Sequence, residues 1–231
     1  TIANLISRFW DVTEGSVKIG GVDIRDISEK VNGLLEAWFP GTEGANAIAD
    51  IIFGYANPSA KLTMSFPQAT GQCPIYYNHY NTGRPHESNV RYVSRYQDIP
   101  TESYYPFGYG LSYSKFIYSC LNLSNKVLTK DSKIKVSVKI KNDSNRIGEE
   151  IVQLYIQDLV AKVVRPVKEL KAFQKVIILP KQEKKVTFEI SEDMLKFWDE
   201  NLRYDSENGD FKVYIGTNSE DTLFDIFSLK K

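Results

Sequence analysis

The sequence predicts a mainly β protein whose C-terminal half is an antiparallel β-sandwich. The clearest sign is an alternation in which Ile134, Val136, Val138 and Ile140 are separated by lysines and a serine, as expected of a strand with one buried face. Shorter alternating runs follow it, divided by turn-forming residues such as 142–145 and Asn208-Gly209. Regular short strands with turns between them favour a sandwich. Later strands are predicted at 152–156, at 168–179 as a pair, at 186–190, at 211–215, and around Phe224, Ile226 and Phe227.

Composition excludes several classes of function. The 231 residues contain 29 basic and 29 acidic side chains, so no basic excess points to a nucleic-acid or anionic-membrane partner. Cys73 and Cys120 lie far apart and form no CxxC motif, which argues against a metal site or a disulfide framework. No apolar run approaches the roughly 20 residues needed to cross a bilayer. We expect no cofactor, no metal site and no membrane span.

The first 31 residues predict a helix and a hairpin. Residues 1–10 (TIANLISRFW) have apolar side chains at helical spacing, and 15–24 (GSVKIGGVDI) alternate around Gly20-Gly21. This segment resembles a fragment of the nucleotide-binding domain of ABC transporters, with Thr1 as the last residue of the phosphate-binding loop. The lysine and glycines that capture phosphate would then precede Thr1, so the resemblance implies no working ATPase. An unrelated helix and hairpin is the alternative.

A different pattern begins at Leu34. A short strand, a Pro40-Gly41 turn, an amphipathic helix ending near Gly54 and a strand over 61–66 are predicted from LLEAWFPGTEGANAIADIIFGYANPSAKLTMSFP. This stretch resembles the end of the α/β sandwich domain of glycoside hydrolase family 3, the β-glucosidase-like enzymes. It departs from the family pattern at Ala45 and Ala60, where glycine is usual, and at Thr63, where proline is usual.

Residues 74–117 predict an aromatic connector. Ten of the fourteen tyrosines lie between Tyr76 and Tyr118, and PIYYNHYNTGRP, RYVSRYQDIP and YYPFGYGLSYSKF resemble the same family's connector. We interpret 104–113 as an extended interdomain strap, bent at Gly108 and Gly110, in preference to a surface for stacking sugars. The strap residues are Tyr104, Tyr105, Pro106, Phe107, Tyr109 and Tyr113. A loop facing a sugar is also conceivable at Arg84, His86, Arg91 and Arg95, although a solvated charged loop is the favoured interpretation.

The sandwich resembles the family's fibronectin type III-like domain. The matching stretches are IGEEIVQLYIQDLVAKVVRPVKELKAFQKV, EKKVTFEIS and GDFKVYIGTNSED. The predicted division is therefore an ABC-like fragment at 1–31, a truncated α/β sandwich segment at 32–73, the connector at 74–117 and the fibronectin type III-like (immunoglobulin-like) domain at 118–231. We expect that last domain to fold alone, and residues 34–66 to expose apolar surface. We also expect the strap rings to be less buried than in a complete enzyme.

The chemistry implied by the resemblance needs two carboxyl groups about 5–5.5 Å apart. In the family both belong to segments that would precede Leu34, so no catalytic residue is assigned. Glu149 and Glu150 are neighbours on a strand, point to opposite faces, and are interpreted as solvated surface. We expect the C-terminal region of a β-glucosidase, inactive alone and binding a β-linked glucoside or oligosaccharide only within a complete enzyme. The alternatives are a component that works with a missing chain, a non-catalytic carbohydrate-binding or structural module and, distantly, an ABC-type ATP-binding fragment.

Overall fold

The computed structural model describes residues 18–19, 22–23, 31–85 and 92–231. The chain folds into two compact units. The first contains the described residues up to Ala56, together with 69–73, and the second contains 57–68 and 74–231. The domain boundaries expected after residues 31, 73 and 117 stay predictions.

The described residues of the first unit include a hairpin, an α-helix and a short 3-10 helix at Thr70–Gln72. Strand β1 (Lys18–Ile19) pairs antiparallel with β2 (Val22–Asp23), which confirms the predicted strand pair, while the other residues of the 15–24 segment lie outside the described residues. The helix predicted at 1–10 lies outside the described residues. Helix α1 (Gly44–Ile52) ends as expected, because Gly54 has φ +74° and adopts the left-handed conformation that terminates helices. The short strand expected from Leu34 is absent, since the described residues 31–43 contain no strand.

Apolar side chains of residues 34–66 are exposed, as predicted. Ile52 at the end of α1 is 65% exposed, and Phe39 and Phe53 are 66% and 73% exposed. Ile48 and Ala49 on α1 are half-buried. The amphipathic face is therefore present, but much of its apolar surface lies open.

The second unit contains the β-sandwich. Its strands are β3 (Phe116–Leu123), β4 (Val127–Leu128), β5 (Ile134–Asn142), β6 (Gly148–Asp158), β7 (Glu169–Ile178), β8 (Glu183–Ile190), β9 (Phe197–Trp198), β10 (Tyr204–Asp205), β11 (Gly209–Gly216) and β12 (Thr222–Leu229). A five-stranded sheet has the order β4-β12-β11-β6-β7, and a three-stranded sheet has the order β3-β5-β8. Strands β9 and β10 form a separate two-stranded hairpin. Within the sheets every pair is antiparallel except β12 with β4.

The core lies between the two sheets and follows the predicted alternation. Ile134, Val136, Val138 and Ile140 of β5 are fully buried. They belong to one apolar cluster with inward-facing residues of β6, β8 and β11, such as Leu154. Lys135, Lys139 and Lys141 of β5 and Lys185 of β8 are exposed on the solvent side of the three-stranded sheet. Removal of this apolar surface from water is the main stabilising contribution.

Two details of the predicted strands are wrong. The single strand β7 (Glu169–Ile178) stands where a pair of strands was predicted, and 61–66 form no strand but only an isolated bridge between Phe66 and Tyr105. The strand predicted around Phe224, Ile226 and Phe227 is confirmed as β12. Within it Phe227 is buried, while Phe224 and Ile226 are exposed. Because β12 has apolar residues on both faces, its sequence does not show which face is buried, and packing against the neighbouring strands decides it.

Candidate functional site

The strap turns at Gly108, as predicted, whereas Gly110 lies in neither a turn nor a bend. Gly108 has φ +79°, and a Cβ atom there would lie 2.1 Å from Gln153 Oε1. A Cβ on Gly110 would lie 2.4 Å from the Ala60 carbonyl oxygen. The first glycine therefore allows a left-handed backbone conformation, and both allow an approach too close for any other residue.

Backbone hydrogen bonds join the strap to residues 62–66. The Leu62 amide donates to the Tyr109 carbonyl at 2.7 Å, and the Gly108 amide donates to the Leu62 carbonyl at 2.8 Å. Phe66 donates to Tyr105 at 2.8 Å and accepts from the Tyr104 amide at 2.8 Å. The backbone N–H and C=O groups of the two segments bond to each other without regular strand geometry. The strand predicted over 61–66 therefore does not form, although its backbone groups are hydrogen-bonded.

The strap rings form two groups. Tyr105 stacks on Tyr109 with centroids 5.0 Å apart and meets Tyr104 edge-on at 4.7 Å. Burial raises the pKa of Tyr105. Phe107 stacks on Tyr77 at 4.3 Å.

The second group covers the outer face of the five-stranded sheet. Tyr77 packs edge-on against Tyr155 of β6 at 5.7 Å, and Tyr155 is fully buried. Pro106 is buried, whereas Tyr113 is 48% exposed and lies under the Arg146 guanidinium at 5.5 Å. The strap therefore packs on the sandwich, and the predicted loss of ring burial relative to a complete enzyme stays a prediction.

Alternate side chains of residues 57–61 dock on the start of β6. Asn57 donates to the Ile147 carbonyl at 2.9 Å and accepts from the Tyr113 amide at 2.9 Å. Ser59 donates to Glu149 at 3.1 Å, and Lys61 reaches Glu150 at 3.2 Å. The sequence predicted only a strand beginning at Lys61 here, and the docking role of residues 57–61 was missed. The signal was available as polar residues at i, i+2 and i+4 of an extended segment, which share one face.

Glu150 is not the solvated surface carboxylate that was predicted. It is 3% exposed, and the Lys61 side chain facing it is 8% exposed. The same Glu150 oxygen accepts from the Tyr118 hydroxyl at 2.9 Å and the Thr217 hydroxyl at 2.8 Å. Burial, followed by the Glu150 charge, raises the pKa of Tyr118 and keeps it a hydrogen-bond donor. The interpretation was wrong because the partner is 89 residues away in the sequence.

Gln153 completes this buried polar cluster. Its amide nitrogen donates to the Gly108 carbonyl at 3.1 Å and the Thr217 carbonyl at 2.7 Å. Its oxygen accepts from the Tyr155 hydroxyl at 2.5 Å, and burial raises the pKa of that tyrosine. Buried polar groups that are fully hydrogen-bonded fix one arrangement. The cluster of Lys61, Tyr118, Glu150, Gln153, Tyr155 and Thr217, called the buried clasp below, holds the connector on the sandwich.

The predicted sugar-facing loop is only partly described. Arg84 and Arg95 are exposed, whereas His86 and Arg91 lie outside the described residues. The Ser94 amide donates to the Arg84 carbonyl at 2.9 Å, and Thr82 donates to Ser94 at 3.0 Å, which closes the base of the loop. A sugar-binding role for these arginines stays a prediction.

The described part of the chain shows no group of three metal-ligating side chains and no helix able to span a membrane. Cys73 and Cys120 are exposed free thiols. The clasp carboxylate is occupied by donors from three side chains. The buried clasp therefore holds the connector and the sandwich together.

Comparison with known families and proteins agrees with this architecture. Residues 16–113 match the glycosyl hydrolase family 3 C-terminal domain, and residues 150–219 match the fibronectin type III-like domain. The periplasmic beta-glucosidase of Salmonella typhimurium is 47% identical over 193 residues, which are 83% of this chain and 25% of that protein. A putative beta-xylosidase of Formosa agariphila is 42% identical over 90% of this chain and 26% of its own length.

Solved structures show the same relationship. The beta-glucosidase of Listeria innocua, crystallised with glucose, superimposes with a TM-score of 0.85 at 46% identity, over 90% of this chain and 29% of that one. A mutant of that enzyme crystallised with laminaribiose gives a TM-score of 0.84 at the same identity, over 90% of this chain and 29% of that one. The chain spans between a quarter and a third of the length of these relatives. It corresponds to the C-terminal region of β-glucosidase-type proteins of glycosyl hydrolase family 3, comprising the family's C-terminal domain and a fibronectin type III-like domain.

Proposed function

We propose that this region serves the hydrolysis of β-linked glucosides as a non-catalytic part of a β-glucosidase-type enzyme. Its task is to fix the aromatic connector on the sandwich. The observation that supports this most strongly is the buried clasp, in which Lys61 and Glu150 pair at 3.2 Å beneath the strap. Ion pairs that are buried and fully hydrogen-bonded are better suited to fixing one arrangement than to adding stability.

Catalysis itself is assigned to residues outside the 231 present here. A retaining glycosidase needs a nucleophilic carboxylate and a second carboxyl group that changes its protonation state. Glu150 is surrounded by donors inside the clasp, and Glu149 binds Ser59 and Lys175. Neither is free to act on a glycosidic bond.

The connector loop is the part of this region proposed to approach the sugar. Arg84 and Arg95 are exposed, and the loop is anchored to the sandwich by the Val167 amide, which donates to the His79 carbonyl at 2.9 Å. Guanidinium groups donate several hydrogen bonds in a fixed geometry, which suits sugar hydroxyls. In the complete enzyme, Arg84→Ala is expected to raise KM for a β-glucoside more than it lowers kcat. Unchanged KM in both Arg84→Ala and Arg95→Ala would remove this part of the proposal.

A complementation assay tests the proposed function. The chain alone is expected to release no nitrophenol from an aryl β-glucoside. Hydrolysis is expected to appear when the preceding segment of the Listeria innocua enzyme is supplied, either fused or as a second chain. Lys139→Ala, which alters an exposed pair with Glu183, is the matched control for Lys61→Ala, which is expected to abolish the complementation. Turnover by the chain alone, or complementation that survives Lys61→Ala, would contradict the proposal.

The resemblance of residues 1–31 to an ABC transporter fragment supplies the remaining alternative. None of the comparisons above supports it, and the match to the glycosyl hydrolase family 3 domain already begins at residue 16. A fluorescent ATP analogue is expected to show no saturable binding to the chain. Saturable, magnesium-dependent binding would favour the ATP-binding alternative instead.

A further inference from the structure

The hairpin β9–β10 displays two aromatic rings side by side. Trp198 is paired in register with Tyr204, and their ring centroids are 5.4 Å apart with the planes tilted by 48°. Trp198 is 64% exposed and Tyr204 is 55% exposed. The neighbouring Phe197 is buried, with the Arg165 guanidinium 4.4 Å from its ring centroid. Phe197 therefore anchors the hairpin, while the next residue turns its ring outward.

The tip of this hairpin is held by one carboxylate. Asp199 accepts from the backbone amides of Asn201 at 2.8 Å and Arg203 at 2.9 Å. Its second oxygen accepts from the Arg203 guanidinium at 2.9 and 3.1 Å. Leu202 has φ +57° and is 80% exposed, which is an unfavourable backbone conformation for leucine. A fixed tip keeps the two rings in place, and a preorganised surface loses little entropy when it binds.

The rings differ from the ordinary solvent-facing surface of the same sandwich. The outer side of the three-stranded sheet carries Lys135, Lys139, Lys185, Glu183 and Glu189, all exposed, with pairs such as Lys139–Glu183 at 2.9 Å. The hairpin instead exposes Trp198, Leu202 and Tyr204 together. Exposed apolar side chains that cluster and are rimmed by polar groups mark a binding surface, and Trp and Tyr are the residues enriched there.

The charges beside the rings select the kind of ligand. Asp199 is paired with Arg203, and Asp205 is paired with Lys231 at 2.5 Å. Paired charges create little field to attract an ion, but they leave donors and acceptors at the edge of the rings. A pyranose matches this combination, because it has an apolar C–H face to stack on an aromatic ring and hydroxyl groups around its edge.

We propose that Trp198 and Tyr204 form a binding surface for neutral β-linked gluco-oligosaccharides. The choice of sugar rests on the proposed function of the region. Tyr204 and Trp198 stack on the apolar faces of the glucose units, and the Arg203 guanidinium and the Tyr204 hydroxyl bind their hydroxyl groups.

Affinity electrophoresis tests this surface: the whole chain is run in gels that contain laminarin. Calorimetry with laminarihexaose then gives the dissociation constant. Laminarin is expected to retard the chain. Trp198→Ala and Tyr204→Ala are expected to weaken binding about tenfold or more, as for loss of an aromatic anchor. Trp198→Phe retains most of the binding, which shows that the hairpin is intact. The matched control is Phe173→Ala, which removes a 65% exposed ring from β7 and leaves the retardation unchanged.

Absence of retardation, or retardation that Trp198→Ala leaves unchanged, would overturn the inference. Self-association that Trp198→Ala abolishes, with no sugar binding, would assign the rings to a contact with a second copy of the chain and would also overturn it. Binding is measured here without turnover, whereas the proposed function is measured by hydrolysis in the complementation assay. The two ideas can therefore fail separately.

Discussion

Strand β5 and helix α1 are both amphipathic, and they differ in how much apolar surface they bury. The four inward-facing aliphatic residues of β5 are fully buried against the opposite sheet. In α1, Ile48 and Ala49 are only half-buried and Ile52 is 65% exposed. The periodicity of an element fixes which face is apolar, but burial requires a second apolar surface against that face.

The difference has an energetic consequence for the two compact units. Burying a Val, Leu or Ile side chain contributes about 1.5–3 kcal/mol relative to leaving it exposed. Some twenty apolar residues of the sandwich are buried and gain this free energy. Phe39, Ile52 and Phe53 are exposed and gain little of it. We therefore expect the second unit to resist unfolding, and the first unit to be the more easily unfolded and proteolysed of the two.

The largest effect is expected from the buried clasp, because a lone buried charge costs more than a missing methyl group. Glu150→Ala leaves the Lys61 ammonium without its counter-ion at 8% exposure. Breaking such a pair costs about 3–5 kcal/mol. Urea unfolding followed by far-UV circular dichroism measures this loss in the second unit.

The matched control for Glu150→Ala is Glu183→Ala, which removes an exposed partner of Lys139 and is expected to change the unfolding midpoint little. Equal losses in the two variants would mean that the clasp is not desolvated. The comparison between buried and exposed positions would then fail for charged groups.

The next effect tests the comparison of the apolar faces directly. Ile140→Ala on β5 is expected to lower the free energy of unfolding by about 2–5 kcal/mol, because it leaves a cavity in a packed core. Ile52→Ala removes the same atoms from α1 and is expected to change it by less than about 0.5 kcal/mol. A large loss from Ile52→Ala in the same denaturation experiment would show that α1 is covered in solution.

The sandwich was predictable from the sequence because its information is local. Alternation over β5 and β8 identified both the strands and their buried faces, and Gly54 identified the end of α1. The buried clasp was not predictable, since Lys61 and Glu150 meet only after the connector has folded back onto β6. The hairpin β9–β10 gave too little periodicity, because each strand has two residues, and Trp198 and Tyr204 were not singled out.

A smaller effect distinguishes two costs of replacing a connector glycine by alanine. One is the clash of the new Cβ atom with a close neighbour, and the other is the strain of a left-handed backbone conformation. Gly108 and Gly83 have nearly the same φ, +79° and +78°, but only Gly108 has a neighbour that an added Cβ would meet. Both alanine variants incur the left-handed backbone penalty of about 1–2 kcal/mol. Gly108→Ala is expected to cost about 1–3 kcal/mol more, because it displaces Gln153 from the clasp. Thermal unfolding of both variants measures the difference, and equal losses would show that Gln153 can move aside at no cost.

The smallest effect is the pH dependence contributed by Glu192, a buried carboxylate in the sandwich unit. A hydrogen bond from Ser206 and the nearby Lys231 ammonium lower the pKa of Glu192. A carboxylate with a lowered folded-state pKa stabilises the fold above its unfolded pKa of about 4.3, and this contribution is lost as the pH falls through the folded value. The free energy of unfolding is therefore expected to decline below about pH 4.3, and Glu192→Gln is expected to flatten that decline.

Asp158 supplies a control of opposite sign, because burial raises its pKa. Asp158→Asn therefore removes a contribution to the free energy of unfolding that increases as the pH falls. A urea series from pH 6 to pH 3 in which Glu192→Gln declines as steeply as the unmodified chain would show that the Glu192 carboxylate is solvated like those on the exposed face of the three-stranded sheet.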